Sequence, residues 1–288
     1  MDTSRARARH RRGAGIRLLS ALLAGAIWAG CGGGDPVVVV RDPIDAESDI
    51  LAWSIRVAQA DGGPGAYMEC GELAQLPGAW ACMSRGRVGM NRAFLRASIF
   101  AEGLIGVEQG TVVSTLSSDY AELETRAAGH DLRSEDLLAF WSAAGAACRA
   151  DMLSCGTREE RALFERFIVP LASEHPTFVV IAVSADVHPD YYASHEVLHA
   201  QYFLQPAYAE TVDAYWASDV GEADRSAIVT ALGNTYASAP ELVLRNEFQA
   251  YLLMTDAEVD KLSAFVPTHG PALTERLTAR GVPPLRVR

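Results

Sequence analysis

The run Thr177-Phe178-Val179-Val180-Ile181-Ala182-Val183 is short, β-branched and bounded by Pro176 and by Asp186-Val187. It reads as a strand that hands directly to a helix. That helix is expected from Tyr191 to Leu204, capped by Asp190 and stopped before Pro206. Helices are expected again over Pro206 to Ser218, Glu222 to Leu232 and Pro240 to Met254, the last opened by a capping box of Ser238 and Glu241. One good strand set among many helical segments predicts a predominantly helical α+β fold with a small sheet.

Upstream, residues 45–60 favour a helix ending at Asp61-Gly62-Gly63-Pro64-Gly65, although the alternation from Leu51 to Val57 also suits a strand. Residues 61–88, rich in Gly and Pro, suggest an irregular lobe stapled by cysteines. Helical patterning covers Asn91 to Leu104, Ser134 to Arg149 and Thr157 to Val169. The third has a capping box in Thr157 and Glu160, and Pro170 as its expected stop. Val37-Val38-Val39-Val40 suits either a short strand or an extended linker.

The first thirty residues differ from the rest. Six arginines between Arg5 and Arg17 precede the apolar stretch Leu18 to Trp28, the layout of a signal peptide. Trp28-Ala29-Gly30-Cys31 resembles a bacterial lipobox, which implies cleavage before Cys31 and membrane attachment through that acylated cysteine; an ordinary cleaved signal is the alternative. The expected organisation is a signal over 1–30, a tether over 31–44 containing Gly32-Gly33-Gly34, and one domain over 45–288. That domain divides into an N-terminal helical part, 45–176, and a site-bearing part, 177–288. Removing residues 1–30 reduces 25 basic and 36 acidic residues to 19 and 35, taking the formal charge from −11 to −16. Such an excess of negative charge argues against nucleic acid as a partner.

Cys70, Cys82, Cys148 and Cys155 are an even set in a chain with an export signal. Short loops close with the least entropy loss, favouring Cys70–Cys82 and Cys148–Cys155. An exported chain is expected, anchored to the cell envelope at the outer membrane or periplasmic face, or secreted.

Within the helix at 191–204 stands His195-Glu196-Val197-Leu198-His199. Residues four apart share a helix face, so His195 and His199 can offer two imidazoles to one Zn2+ with Glu196 beside them as general base. A third ligand is needed to leave one coordination place for water. Tyr202 and Gln205 stand where a metzincin carries glycine and a third histidine, so the third ligand lies elsewhere.

The best candidate is Glu247 in Asn246-Glu247-Phe248-Gln249-Ala250. This Asn-Glu-x-x-Ala segment resembles the third-ligand helix of the gluzincin metallopeptidases. The resemblance covers about 177–255. It implies a zincin-like fold and zinc-dependent hydrolysis of peptide or protein substrates. It also implies His195, His199 and Glu247 as ligands, Glu196 as base, and the strand before the motif lying along the cleft. Residues 206–233 would be a helical insertion between the ligand helices. Asp213, Asp219 and Glu222 are the rival third ligands. Tyr251, one turn beyond Glu247, leads the candidates for a catalytic oxyanion donor, ahead of Tyr236 and His269. Two other readings stand beside this one: a catalytically silent lipoprotein that binds a peptide or envelope partner, and a zinc amidase acting on cell-wall peptides.

Overall fold

The strand at 177–183 forms β5 (Val179–Ser184), with all six residues buried. The computed structural model describes residues 37–39, 42–46, 49–60, 67–233, 236, 239–254, 257 and 260–287. The expected signal, Cys31, the glycine tether and Ser238 lie outside them.

In chain order the elements are β1 (Val37–Val39), α1 (Ile50–Gln59), β2 (Met68–Glu72), β3 (Ala79–Ser84), α2 (Arg87–Glu102), α3 (Ser118–Glu124), β4 (Gly129–Arg133), α4 (Ser134–Ala150) and α5 (Arg158–Leu163). They continue with α6 (Val169–Glu174), β5, α7 (Pro189–Leu204), α8 (Pro206–Ser218), α9 (Glu222–Leu232), α10 (Glu241–Leu253) and α11 (Val266–Ala279). The fold is α+β and predominantly helical, with a mixed sheet in the order β1-β2-β3-β5-β4.

The sheet is sandwiched. Alternate residues of β5 face opposite ways, as the strand period requires. Val180 and Ala182 join Phe94 of α2, Phe140 of α4 and Phe164 in one core. Val179, Ile181 and Val183 join Trp53 and Val57 of α1 and Ala193, Val197 and Ala200 of α7 in another. A third core lies on the far side of α7, where Leu198 and Tyr202 pack with α8 to α11. Helix α7 thus separates the sheet from a helical bundle and is buried continuously from Ala193 to Tyr202. A helix apolar on two sides has one stripe left for polar groups, and the motif occupies it. Its back is braced by Gln201, whose side chain donates to the Pro283 carbonyl at 2.8 Å and accepts from the Leu285 amide at 2.9 Å.

Several expectations need correction. Residues 67–84 are not an irregular lobe but the β2–β3 hairpin, in which Cys70 faces Cys82 across an antiparallel pair. Gly78, at φ 86°, closes its turn in a conformation open to glycine. Both expected disulfides are present, Cys70–Cys82 and Cys148–Cys155. Val37–Val39 pair in parallel with β2, and Ile44 bridges Leu73, so the sheet draws in residues from 31–44. Asp190 is not the cap of α7. His188 holds that place at φ 36°, with Pro189 at the first helical positions. Asp190 instead sits in the first turn, where a carboxylate complements the helix dipole.

Pro170 does not end its helix. A π turn over Phe164–Ile168 interrupts the regular ladder immediately before it, so Pro170 occupies a helix-start position where a missing N–H costs little. The helix then runs on to Glu174. Thr157 does cap as expected, its hydroxyl accepting from the Glu160 amide at 2.9 Å, but the Glu160 carboxylate turns inward to Arg96.

Candidate metal centre

Helix α7 projects His195 and His199 from adjacent turns with their Nε2 atoms 2.9 Å apart. Helix α10 brings Glu247 to the same point, its Oε2 3.5 Å from Nε2 of His195 and its Oε1 3.7 Å from Nε2 of His199. Tetrahedral zinc with ligands at about 2.0–2.2 Å requires donor atoms roughly 3.3 Å from one another. The three donors form such a triangle, and all three residues are buried. At the triangle, Oε2 of Glu196 and Oε2 of Glu247 are buried without hydrogen-bond partners. Buried polar atoms are nearly always satisfied, so such a concentration marks a place where a further group fits. This donor set of two imidazoles and one carboxylate suits a divalent metal.

Electrostatics tie the residues together. Burial pushes Glu247 towards its neutral form, but His199, His195 and a hydrogen bond from Tyr236 outweigh it and hold the carboxyl below its ordinary range. Burial would depress both imidazoles. It does so for His195, whereas Asp131 and Glu247 overcome it and raise His199. Glu196 is held well above the ordinary carboxylate range by burial, then by Asp131, Glu247 and Glu102.

The triangle opens on a cavity of about 340 Å³. Tyr191, Tyr192, Tyr236 and Tyr251 line it together with Glu102 and Lys261. The Tyr251 ring lies against His195 with centroids 4.4 Å apart, and Lys261 Nζ stands 5.4 Å from the Tyr251 ring centre. Burial and the surrounding carboxylates raise both Tyr236 and Tyr251 well above the ordinary phenol range, so each keeps its proton.

The other candidates are placed elsewhere. Asp213 accepts from Tyr202 and pairs with Arg245, and Asp219 pairs with Arg276. Glu222 lies in the first turn of α9 and does not join the cluster. His269 is not an oxyanion donor: it is buried in the bundle between Tyr215, at 3.0 Å, and Asp224, at 3.4 Å. The strand before the motif does not border the cleft, because β5 is paired on both sides, with β3 and with β4. The strand at the cavity is β4, whose Gly129, His130 and Asp131 line it from the end of the sheet.

Gly129, Asp131 and Glu102 carry no signal in the sequence, and His130 stands there outside any motif. The stretch Gly129-His130-Asp131-Leu132-Arg133 alternates partly exposed and buried positions. One of its two buried positions is a histidine, so hydropathy alone does not reveal the strand. Comparison of the chain with protein-family models, with curated proteins and with solved structures found no match.

Proposed function

We propose that the chain is a zinc-dependent peptidase of gluzincin-like architecture, exported and anchored to the cell envelope through a lipidated Cys31. The observation that carries the catalytic reading is the convergence of His195, His199 and Glu247 from two helices onto one point beside Glu196. Zinc so held supplies a Lewis acid that acidifies water and polarises a carbonyl. Glu196 lies on the cavity wall with one carboxylate oxygen unengaged and a raised proton affinity, suited to taking a proton from water and passing it to a leaving amine. Tyr251, protonated and against His195, offers a donor to a developing oxyanion, and Tyr236 buttresses Glu247. Edge strand β4 offers backbone groups along the cavity, favouring an extended peptide added as a further strand.

Export is supported more coarsely. Two disulfides fit an oxidising, extracytoplasmic environment. Among the described residues no helix is long and apolar enough to cross a membrane. The lipid anchor rests on the sequence around Cys31, and radiolabelled fatty acid retained by the wild type but not by Cys31→Ser tests it.

Glu196→Gln tests the catalytic reading. The variant should bind zinc stoichiometrically and lose hydrolysis of a peptide library by at least about 10²-fold. A wild-type chain that holds zinc yet turns over no member of such a library would instead support the silent binding module. Turnover confined to cell-wall peptides would support the amidase.

A further inference from the structure

We propose that Asp131 is a positioning residue for His199, accepting a hydrogen bond from its Nδ1 so that Nε2 is the nitrogen presented to the metal. This rests on reading His195, His199 and Glu247 as the ligand set.

Nε2 of His199 is committed to the ligand triangle, 2.9 Å from its partner imidazole and 3.7 Å from Glu247. That leaves Nδ1 buried on the other side of the ring, with no acceptor at normal hydrogen-bond geometry. Oδ2 of Asp131 stands on that side, 4.0 Å away. An imidazole with one nitrogen protonated towards a carboxylate must offer its lone pair at the other, so a carboxylate here selects the tautomer a metal requires.

The register of β4 explains why this carboxylate is where it is. Gly129 and Asp131 face α7, while His130 and Leu132 point to the opposite side of the sheet. His130 is fastened there: its Nε2 lies 2.7 Å from Oδ1 of Asn91, and its Nδ1 lies 2.8 Å from Oγ of Ser98, both on α2. Asn91 in turn donates to the carbonyls of Glu124 and Ala127, holding the segment that leads into the strand. A strand pinned through His130 on one side delivers the next side chain, Asp131, to the other. The competing partner is Asn246, which reaches His199 from α10. Asn246 is neutral, and its carbonyl oxygen already accepts from Gln249 at 3.1 Å. The charged acceptor is the stronger of the two.

The test compares the full-length, disulfide-bonded wild type with Asp131→Ala, Asp131→Asn and Asn246→Ala. Zinc affinity is measured by chelator competition, the ligand field by Co2+ absorption, and thermal unfolding without metal. Asp131→Ala should bind zinc about 10–100-fold more weakly and shift the Co2+ bands, with metal-free unfolding unchanged. Asp131→Asn, a neutral acceptor, should fall between it and wild type. Should the alanine variant not fold, the nearly isosteric asparagine variant decides on the same readouts. Zinc affinity within about twofold of wild type in the Asp131 variants overturns the proposal; so does a loss seen in Asn246→Ala and not in Asp131→Ala. A wild type that binds neither Zn2+ nor Co2+ overturns the metal centre as a whole. Tight wild-type binding with unchanged Asp131 variants overturns only the role of Asp131.

Discussion

A Cβ placed on Gly129 would lie 2.6 Å from Cδ of Glu196, so the motif carboxylate occupies space that any larger residue of β4 would fill. Glu196 lies on the cavity wall, so its carboxylate gives way into the cavity rather than into the core. Gly129→Ala should therefore displace the carboxylate by a sizeable fraction of an ångström. On the proposed peptidase reading, hydrolysis should fall by about 10²-fold in kcat/KM. Zinc binding, measured alongside by metal analysis, should match that of the wild type, because the three proposed ligands lie on other elements.

The ligand set makes its own prediction. Glu247→Ala removes one of three donors and leaves two imidazoles, so stoichiometric zinc should be lost on dialysis against a weak chelator. Asp213→Asn and Asp219→Asn should hold zinc as the wild type does, since both carboxylates are taken by arginines away from the cluster. Retention by Glu247→Ala with loss in either aspartate variant would reverse the assignment.

Arg96 and Glu160 form an ion pair whose side chains are 1% and 2% exposed, tying α2 to α5. Arg96 also donates to the carbonyls of Val113 and Ser154. Arg96→Met strands a carboxylate in the interior, and urea unfolding should show a loss of about 3–5 kcal/mol. Adding Glu160→Leu should restore part of it, because the stranded carboxyl is then gone while the two carbonyls remain unpaired.

His130 predicts a pH dependence. Burial lowers its pKa from 6.5 to about 3. Between those values the unfolded chain binds a proton that the folded chain does not, so this group makes stability rise with pH from about 3 to 6.5. Glu160 acts oppositely, being pushed by burial, against Arg96, from 4.5 up to about 7. The wild-type profile is thus a sum of opposing slopes, and the informative quantity is a difference. Wild type minus His130→Phe should lose on the order of a few kcal/mol between pH 6.5 and pH 4. A pH-independent difference would show that His130 titrates normally in the fold.

How much of this was legible in the sequence depended on whether a local pattern carried the information. Helix α7, its two imidazoles and the later helix with Glu247 are each announced by spacing and punctuation within a few residues, and they fall close to the expected bounds. So do both disulfides, for which short loops sufficed. The sheet was less legible. β5 has the continuous apolar run of a strand buried on both faces, whereas β2 and β4 mix Glu69, Gly71, His130 and Asp131 into short segments whose pairing is set from a distance. The gluzincin resemblance points to the strand just before the motif as the cleft strand, whereas the strand at the cavity is β4, which hydropathy does not reveal. Asp131 went unnoticed for the same reason. Pro170 misled because a proline is a stop signal only when the preceding ladder is regular, and a π turn has no hydropathy signature.

The brace behind α7 bears on the order in which the molecule is built. Gln201 grips backbone 82 and 84 residues further along the chain, at Pro283 and Leu285. A polypeptide emerging amino end first therefore displays both imidazoles long before the helix carrying them is secured. On the proposed metal reading, capture at full strength is accordingly a late event in maturation, after the 283–285 segment has docked. Chains cut back to residue 281 should show faster amide exchange along α7 and slower zinc uptake on refolding, even though no ligand has been removed.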